Sequence, residues 1–289
     1  RNIFTYLICL LLITILSLTP IATPTKATSN PLEKISEGTT VEGYVITTGR
    51  RAALSSDGRF IVYNASIQNL GSQLVVYDRQ TDTTEIVSLS NSGSPVAVTN
   101  GTVSSISSDG RFIAFASNNA NFVAGDTNGV SDIFVRDRLA STTTRASVAS
   151  DGSQGNAFSN SGTISGSGRY VVFSSNAFNL VPNDTANTPD VFQHDLHTGQ
   201  TIRVSVASDG SAPRCLAGYC VNGLQSTLIT DGVSEDGRYI LFRSNAMNLS
   251  YLPTTGYLDA YLIYRHDTVT GITALASATQ NNTKPPNSV

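Results

Sequence analysis

Ser56-Asp57-Gly58-Arg59-Phe60-Ile61-Val62-Tyr63 is the stretch on which the reading of this chain turns. It returns as Ser108-Asp109-Gly110-Arg111-Phe112-Ile113-Ala114-Phe115, then as Gly166-Ser167-Gly168-Arg169-Tyr170-Val171-Val172-Phe173. The fourth copy is Glu235-Asp236-Gly237-Arg238-Tyr239-Ile240-Leu241-Phe242. The glycines are 52, 58 and 69 residues apart. Self-similarity at this spacing is the mark of a repeat architecture.

Other phrases recur in step. Asp132-Ile133-Phe134-Val135-Arg136-Asp137 matches Asp190-Val191-Phe192-Gln193-His194-Asp195, with a looser copy from Tyr261 to Asp267. Ser147 to Ser153 matches Ser205 to Ser211 residue for residue. Each unit reads as four short strands: a β-prone stretch such as Val103 to Ile106, an Asp-Gly turn, and an apolar strand such as Phe112 to Phe115. A loop leads to a third strand, Ile133 to Arg136, and a hairpin to a fourth, Ile202 to Val206. Asp and Gly suit these turns because they accept left-handed or locally hydrogen-bonded backbone. Four antiparallel strands per unit is the pattern of a propeller blade, so the expected fold is an all-β β-propeller, or part of one, with four blades. The units span about 41–90, 91–148, 149–206 and 207–278, and a tail of 279–289 follows.

The motif Ser-x-Asp-Gly-Arg-aromatic-apolar-x-Phe, followed by Asp-x-Phe-x-x-Asp, resembles the TolB-like propeller family, relatives of the WD-repeat propellers. The segment Gly125 to Asp137 is similar to exported bacterial members. The resemblance covers about residues 41–278 and implies fold rather than activity, since propellers host binding, scaffolding and catalysis alike. The family is usually six-bladed, so four units imply a propeller or a fragment of one.

Outside the repeat, Ile3 to Leu18 is an apolar run that follows a basic residue and leads into Pro20, Ala22, Pro24 and Ala27. This pattern predicts a secretory signal peptide over 1–27 and a linker over 28–40. The run is shorter than the roughly 20 residues needed to span a bilayer; an uncleaved anchor is the alternative. The opening Arg1, in place of methionine, points to a fragment or a displaced start. A net charge of −3 with 13% charged residues argues against nucleic-acid binding, which needs clustered Lys and Arg. The expected location is secreted or periplasmic.

Beyond the signal, Cys215 and Cys220 lie in one loop, and an oxidising compartment predicts a disulfide between them. They belong to an insertion, Ala212 to Leu224, with no counterpart in the other units. Insertions in repeat proteins gather in loops, often on a binding face. The candidate metal residues are Asp126, Asn128 and Asp132, echoed by Asp184, Asn187 and Asp190. Alternating Asp and Asn around a glycine can wrap oxygen ligands around Ca²⁺; the alternative is that they make Asx-turns. The Asp-Gly-Arg residues, and Asp78, Asp137, Asp195 and Asp267, recur in every unit and read as structural. His194 and His266 occupy equivalent, variable positions and read as solvent-facing. No catalytic residue stands out: no nucleophile elbow, Walker loop or dinucleotide fingerprint is present. The expectation is therefore a non-enzymatic propeller that binds a protein, peptide or envelope glycan, with Ca²⁺ as a candidate stabilising ion. The alternative is an accessory domain or fragment of a secreted hydrolase.

Overall fold

The structure is a computed structural model that describes residues 40–41, 44–99, 103–184, 188–214, 225–249 and 261–276. The expectations on residues 1–39, on Asn187, on Cys215 and Cys220 and on the C-terminal tail lie outside the described residues.

Each Asp-Gly turn is closed by its own side chains. Gly58 N–H donates to Ser55 O at 2.8 Å, with Gly58 at φ +68°. Asp57 Oδ1 accepts from Arg59 N–H and from the Ser55 hydroxyl, and Ser55 Oγ in turn accepts from Phe60 N–H. Ser107 and Asp109, and Ser234 and Asp236, repeat this arrangement. In the third unit Ser165 and Ser167 share a hydroxyl pair at 3.0 Å instead. The turn delivers an alternating apolar strand, and burial on both faces fixes its register.

The strands form four antiparallel sheets in chain order. The first holds β1 (Thr40–Val41), β2 (Tyr44–Leu54), β3 (Phe60–Ile67), β4 (Gly71–Asp78) and β5 (Thr83–Ile86), one strand more than the repeat predicts. The second holds β6 (Val103–Ile106), β7 (Phe112–Ser117), β8 (Asp132–Asp137) and β9 (Thr142–Arg145). The third holds β10 (Ser159–Ile164), β11 (Tyr170–Ser175), β12 (Asp190–Asp195) and β13 (Thr201–Arg203). The fourth holds β14 (Ser226–Val233), β15 (Tyr239–Ser244), β16 (Leu262–Asp267) and β17 (Thr273–Leu275). Every strand pairs with its sequence neighbour. This is a series of propeller blades.

One boundary differs from the sequence reading. The fourth strand of the third unit ends at Arg203 rather than Val206. There Ser205 Oγ accepts Val191 N–H and donates to Asp190, so a side chain takes over the bonding of the ladder and the backbone departs.

Three apolar clusters join the sheets in sequence. Phe60, Val62, Leu74 and Val76 of the first sheet pack with Ile113, Phe115 and Phe134 of the second. Ala114, Ala116, Ile133 and Val135 pack with Val171, Phe173 and Phe192 of the third. Val172 and Val191 pack with Ile240, Phe242 and Tyr264 of the fourth. The second and third sheets thus bury both faces, as alternating apolar positions on both sides require. The leading aromatic of each sheet also lies against the glycine of the next turn: Phe60 on Gly110, Phe112 on Gly168, Tyr170 on Gly237.

Polar latches follow the same path. Thr143 Oγ1 donates to Leu89 O, Thr201 Oγ1 to Val148 O and Thr273 Oγ1 to Val206 O, each reaching the loop that leaves the preceding sheet. The backbone N–H of each threonine also donates into that loop, to Asn91, Ser150 and Ser208. His194 and His266 belong to these latches. Because each hydroxyl is committed to a carbonyl, it accepts from the imidazole Nδ1–H at 2.8 and 2.9 Å. Both rings are buried, which corrects the solvent-facing expectation. Their variability across units reflects alternative partners for one threonine; Arg136 fills the same place beside Thr143.

Candidate functional site

The most unusual chemistry among the described residues lies at the start of β8 and β12, where the sequence places its candidate metal loops. Asp126 and Asp132 flank the guanidinium of Arg145, which ends β9, at 3.3 and 3.7 Å. Arg145 Nη1 also donates to Gln154 Oε1 at 2.7 Å. Asp132 Oδ1 accepts the Ser147 hydroxyl at 2.5 Å and Oδ2 accepts Asn128 Nδ2 at 3.0 Å. Asn128 Oδ1 is turned inward to accept Val130 N–H. The third unit repeats the arrangement: Arg203 lies 3.4 Å from both Asp184 and Asp190, and Ser205 donates to Asp190. In both units the four carboxylates are almost wholly buried.

The structure therefore brings Asp126, Asn128 and Asp132 together, and Asp184 with Asp190. It seats an arginine between each pair of carboxylates, and Asn128 offers its oxygen to backbone. No group of three or more Asp, Glu, His or Cys residues arranged for a metal occurs among the described residues. Each pair of carboxylates is thus held by an arginine clip.

The repeat itself supports the clip. Where the second and third units have Asp132 with Arg145 and Asp190 with Arg203, the first has Gln73 and Ile86 at the equivalent positions, and the fourth has Leu262 and Leu275. Acid and arginine occur together or not at all. In the first sheet Ser88 donates to Gln73 instead, at 2.6 Å. Sequence reasoning passed over Arg145 and Arg203, although each stands two residues before the repeated Ser-Val-Ala-Ser-Asp-Gly-Ser phrase.

Burial sets the protonation of these loops. Loss of solvation pushes Asp190 up to about 6, against the Ser205 hydrogen bond and the Arg203 charge, and it raises Asp132 as well. With a raised carboxyl, the folded state holds its proton at pH values where the unfolded chain, near 3.9, has released it. Stability should therefore fall as pH rises from about 4 through 6, by on the order of 2–3 kcal/mol from Asp190. Urea midpoints taken across that range should show this decline, and Asp190→Asn should flatten it; an unchanged slope in the variant would exclude Asp190 as its source.

The recurrent Arg and Asp residues form a second set. Arg59, Arg111, Arg169 and Arg238 each hold Asp78, Asp137, Asp195 and Asp267 in a two-pronged bond, with distances of 2.6 to 3.0 Å. Each arginine also lies over the aromatic ring that follows it, 4.6 to 4.9 Å from the centroid. The arginine bond is the main cause that holds the Asp78, Asp137, Asp195 and Asp267 carboxyls below the usual range. These pairs contribute stability above the unfolded pKa that is lost as pH falls through the folded one. Every unit spends these residues on the same pairing.

The insertion of the fourth unit leaves and rejoins the fold at fixed points. Arg214 N–H donates to Asn248 Oδ1 at 2.6 Å and Met247 N–H to Arg214 O at 2.9 Å. On the returning side Gln225 N–H donates to Asn245 Oδ1 at 2.8 Å. Both stems are held by the 245–248 loop.

Comparison with solved structures finds matches of low identity. TolB from Acinetobacter baumannii matches at 18% identity and TM-score 0.45, over 82% of this chain and 45% of that one. The structural neighbours are TolB and TolB-like β-propellers. A TolB from Agrobacterium tumefaciens matches at 13% identity and TM-score 0.48, over 84% of this chain and 68% of that one. The β-propeller domain of the Trilobed protease from Pyrococcus furiosus, described as having an open velcro topology, matches at 13% identity and TM-score 0.41, over 79% of this chain and 71% of that one. This chain spans less than half the length of the Acinetobacter TolB. No protein-family profile and no curated protein matches. At these values the assignment of blades rests on the sheet topology itself.

Proposed function

We propose that the chain is a non-enzymatic, exported propeller scaffold that binds a protein, peptide or envelope glycan. The observation that carries this reading is the contrast between repeated and unrepeated residues. The charged residues that recur are spent on forks, and the histidines at equivalent positions on latches. What does not recur is the insertion 212–224, displayed from stems tied to the 245–248 loop. Its two cysteines, Cys215 and Cys220, belong to the proposal as a disulfide that stiffens the loop. Export rests on the apolar segment near the start of the chain; among the described residues no helix is long and apolar enough to cross a membrane.

The test is capture from envelope extracts by the full chain and by a form in which a short Gly-Ser link joins Arg214 to Gln225. The full chain should retain a discrete partner that the shortened form releases. Equal capture by a folded shortened form would refute the role of the loop.

Calcium at the 126–132 and 184–190 loops is a separate proposal, in which the ion would share the carboxylates with Arg145 and Arg203. Its test is the melting of the chain in excess Ca²⁺ and in chelator.

A further inference from the structure

In the third unit two phenylalanines stay exposed, Phe158 at 44% and Phe178 at 46%. Phe158 precedes β10 and Phe178 follows β11, so both stand at one end of the third sheet, on segments laced together by hydrogen bonds. Asn176 N–H donates to Phe158 O at 3.1 Å, and Phe178 N–H to Asn156 Oδ1 at 3.0 Å. Asn179 accepts from Asn156 N–H through Oδ1 and donates to Gln154 O. Blade packing does not require either ring: Ala120 and Met247 stand at the place of Phe178, and Gln225 at that of Phe158. Beside Phe178 a groove of about 360 Å³ runs between the loop that leaves the second sheet and the loop after β11. Ser150, Asp151 and Asn179 line it together with Leu180, Val181 and Pro182.

We propose that Phe158, Phe178 and this groove bind a neutral glycan, whose sugar rings lay their apolar C–H faces on the two phenylalanines while their hydroxyls bond Ser150, Asp151 and Asn179. Three observations select that occupant. The first is chemical mixture. A sugar ring is apolar on its faces and polar around its edge, and the groove sets Leu180, Val181 and Pro182 beside a hydroxyl, a carboxylate and an amide. An amide carries two N–H donors, and Asn179 spends one on Gln154 O. The second is charge. The described lining holds one carboxylate and no cation, so it repels an acidic glycan or peptide. The third is backbone. A polypeptide laid along a groove gains most by pairing with a free strand edge. Here the loop N–H groups are already committed: Ala149 donates to Ser153 O, Gly152 to Ala149 O, Asn156 to Asn179 and Phe178 to Asn156. Side-chain recognition is what remains, and exposed aromatic rings beside a groove mark a binding site.

The proposal rests on the binding reading and deepens it by naming a second surface and its partner chemistry. It is tested by titrating the full chain with three neutral hexasaccharides, cellohexaose, maltohexaose and chitohexaose, and with polygalacturonate. At least one neutral hexasaccharide should bind, and polygalacturonate should bind at least ~10-fold more weakly. The folded F158A/F178A variant should lose at least ~10-fold in affinity for that sugar. F158Y/F178Y keeps both rings and should retain binding. The chain shortened between Arg214 and Gln225 should retain it too, which separates this surface from the insertion loop. Absence of binding to all three neutral sugars, or unchanged binding in F158A/F178A, would overturn the proposal. Equal or tighter binding of polygalacturonate would overturn it in favour of an acidic glycan.

Discussion

Gly110→Ala is expected to destabilise the protein by about 2–5 kcal/mol. Two costs add. Gly110 sits at φ +73°, where an L side chain meets its own backbone, a penalty of about 1–2 kcal/mol. The new methyl would also fall 2.0 Å from Phe60 Cδ2, in the packing between the first and second sheets. The Phe60 ring has little room to yield, because Arg59 and Arg138 both lie over it at 4.6 and 4.7 Å. Overpacking of this kind typically costs about 1–3 kcal/mol. Gly152→Ala is the control: φ is +85° but nothing lies within 4 Å of the added methyl, so about 1–2 kcal/mol should be lost. Urea denaturation of the two variants separates strain from collision. Equal losses would show that the aromatic-on-glycine contact contributes nothing, and Phe60→Ala in the Gly110→Ala background should then show no coupling.

Arg145→Met should cost about 3–5 kcal/mol, because it leaves Asp126 and Asp132 buried together without their cation. The first sheet indicates the remedy. Its Gln73 and Ile86 occupy the places of Asp132 and Arg145, so Asp132→Gln with Arg145→Ile should recover the part of the loss that belongs to Asp132, while Asp126 stays buried without its cation. A variant pair that behaves additively would refute the clip. Thermal melting of these variants measures the losses, and melting of the unaltered chain decides calcium. If the loops bind the ion, excess Ca²⁺ should stabilise the unaltered chain relative to chelator, by about 2.7 kcal/mol at a concentration 100-fold above Kd. Coincident melting curves would refute calcium binding and leave Arg145 and Arg203 as the only cations of these loops.

The fork aspartates and the turn aspartates were legible from the repeat, because residues required by blade geometry must reappear in each blade. The candidate loops were legible only in part. Asp126, Asn128 and Asp132 stand close in sequence, so their clustering could be read directly, but their cation lies on the next strand. Arg145 reaches them because β9 pairs beside β8 and sets Arg145 opposite Phe134, two residues from Asp132. A search for oxygen ligands in one loop does not see a partner supplied across a ladder. His194 and His266 were misread for a similar reason. Strand alternation assigns a side chain to a face but does not say whether the next sheet covers that face.

By itself the sequence determined the unit: its turns, its strands, its fourfold recurrence and the insertion that breaks it. Those follow from local rules, since an Asp-Gly turn and a period of two need only neighbours along the chain. Tertiary structure alone decided what lies between units. It buried Leu74, Ile133 and Val191 between sheets, placed each aromatic on the following glycine, and gave the paired carboxylates an arginine. Those contacts join residues far apart in the chain, so they are a property of packing and not of the residues.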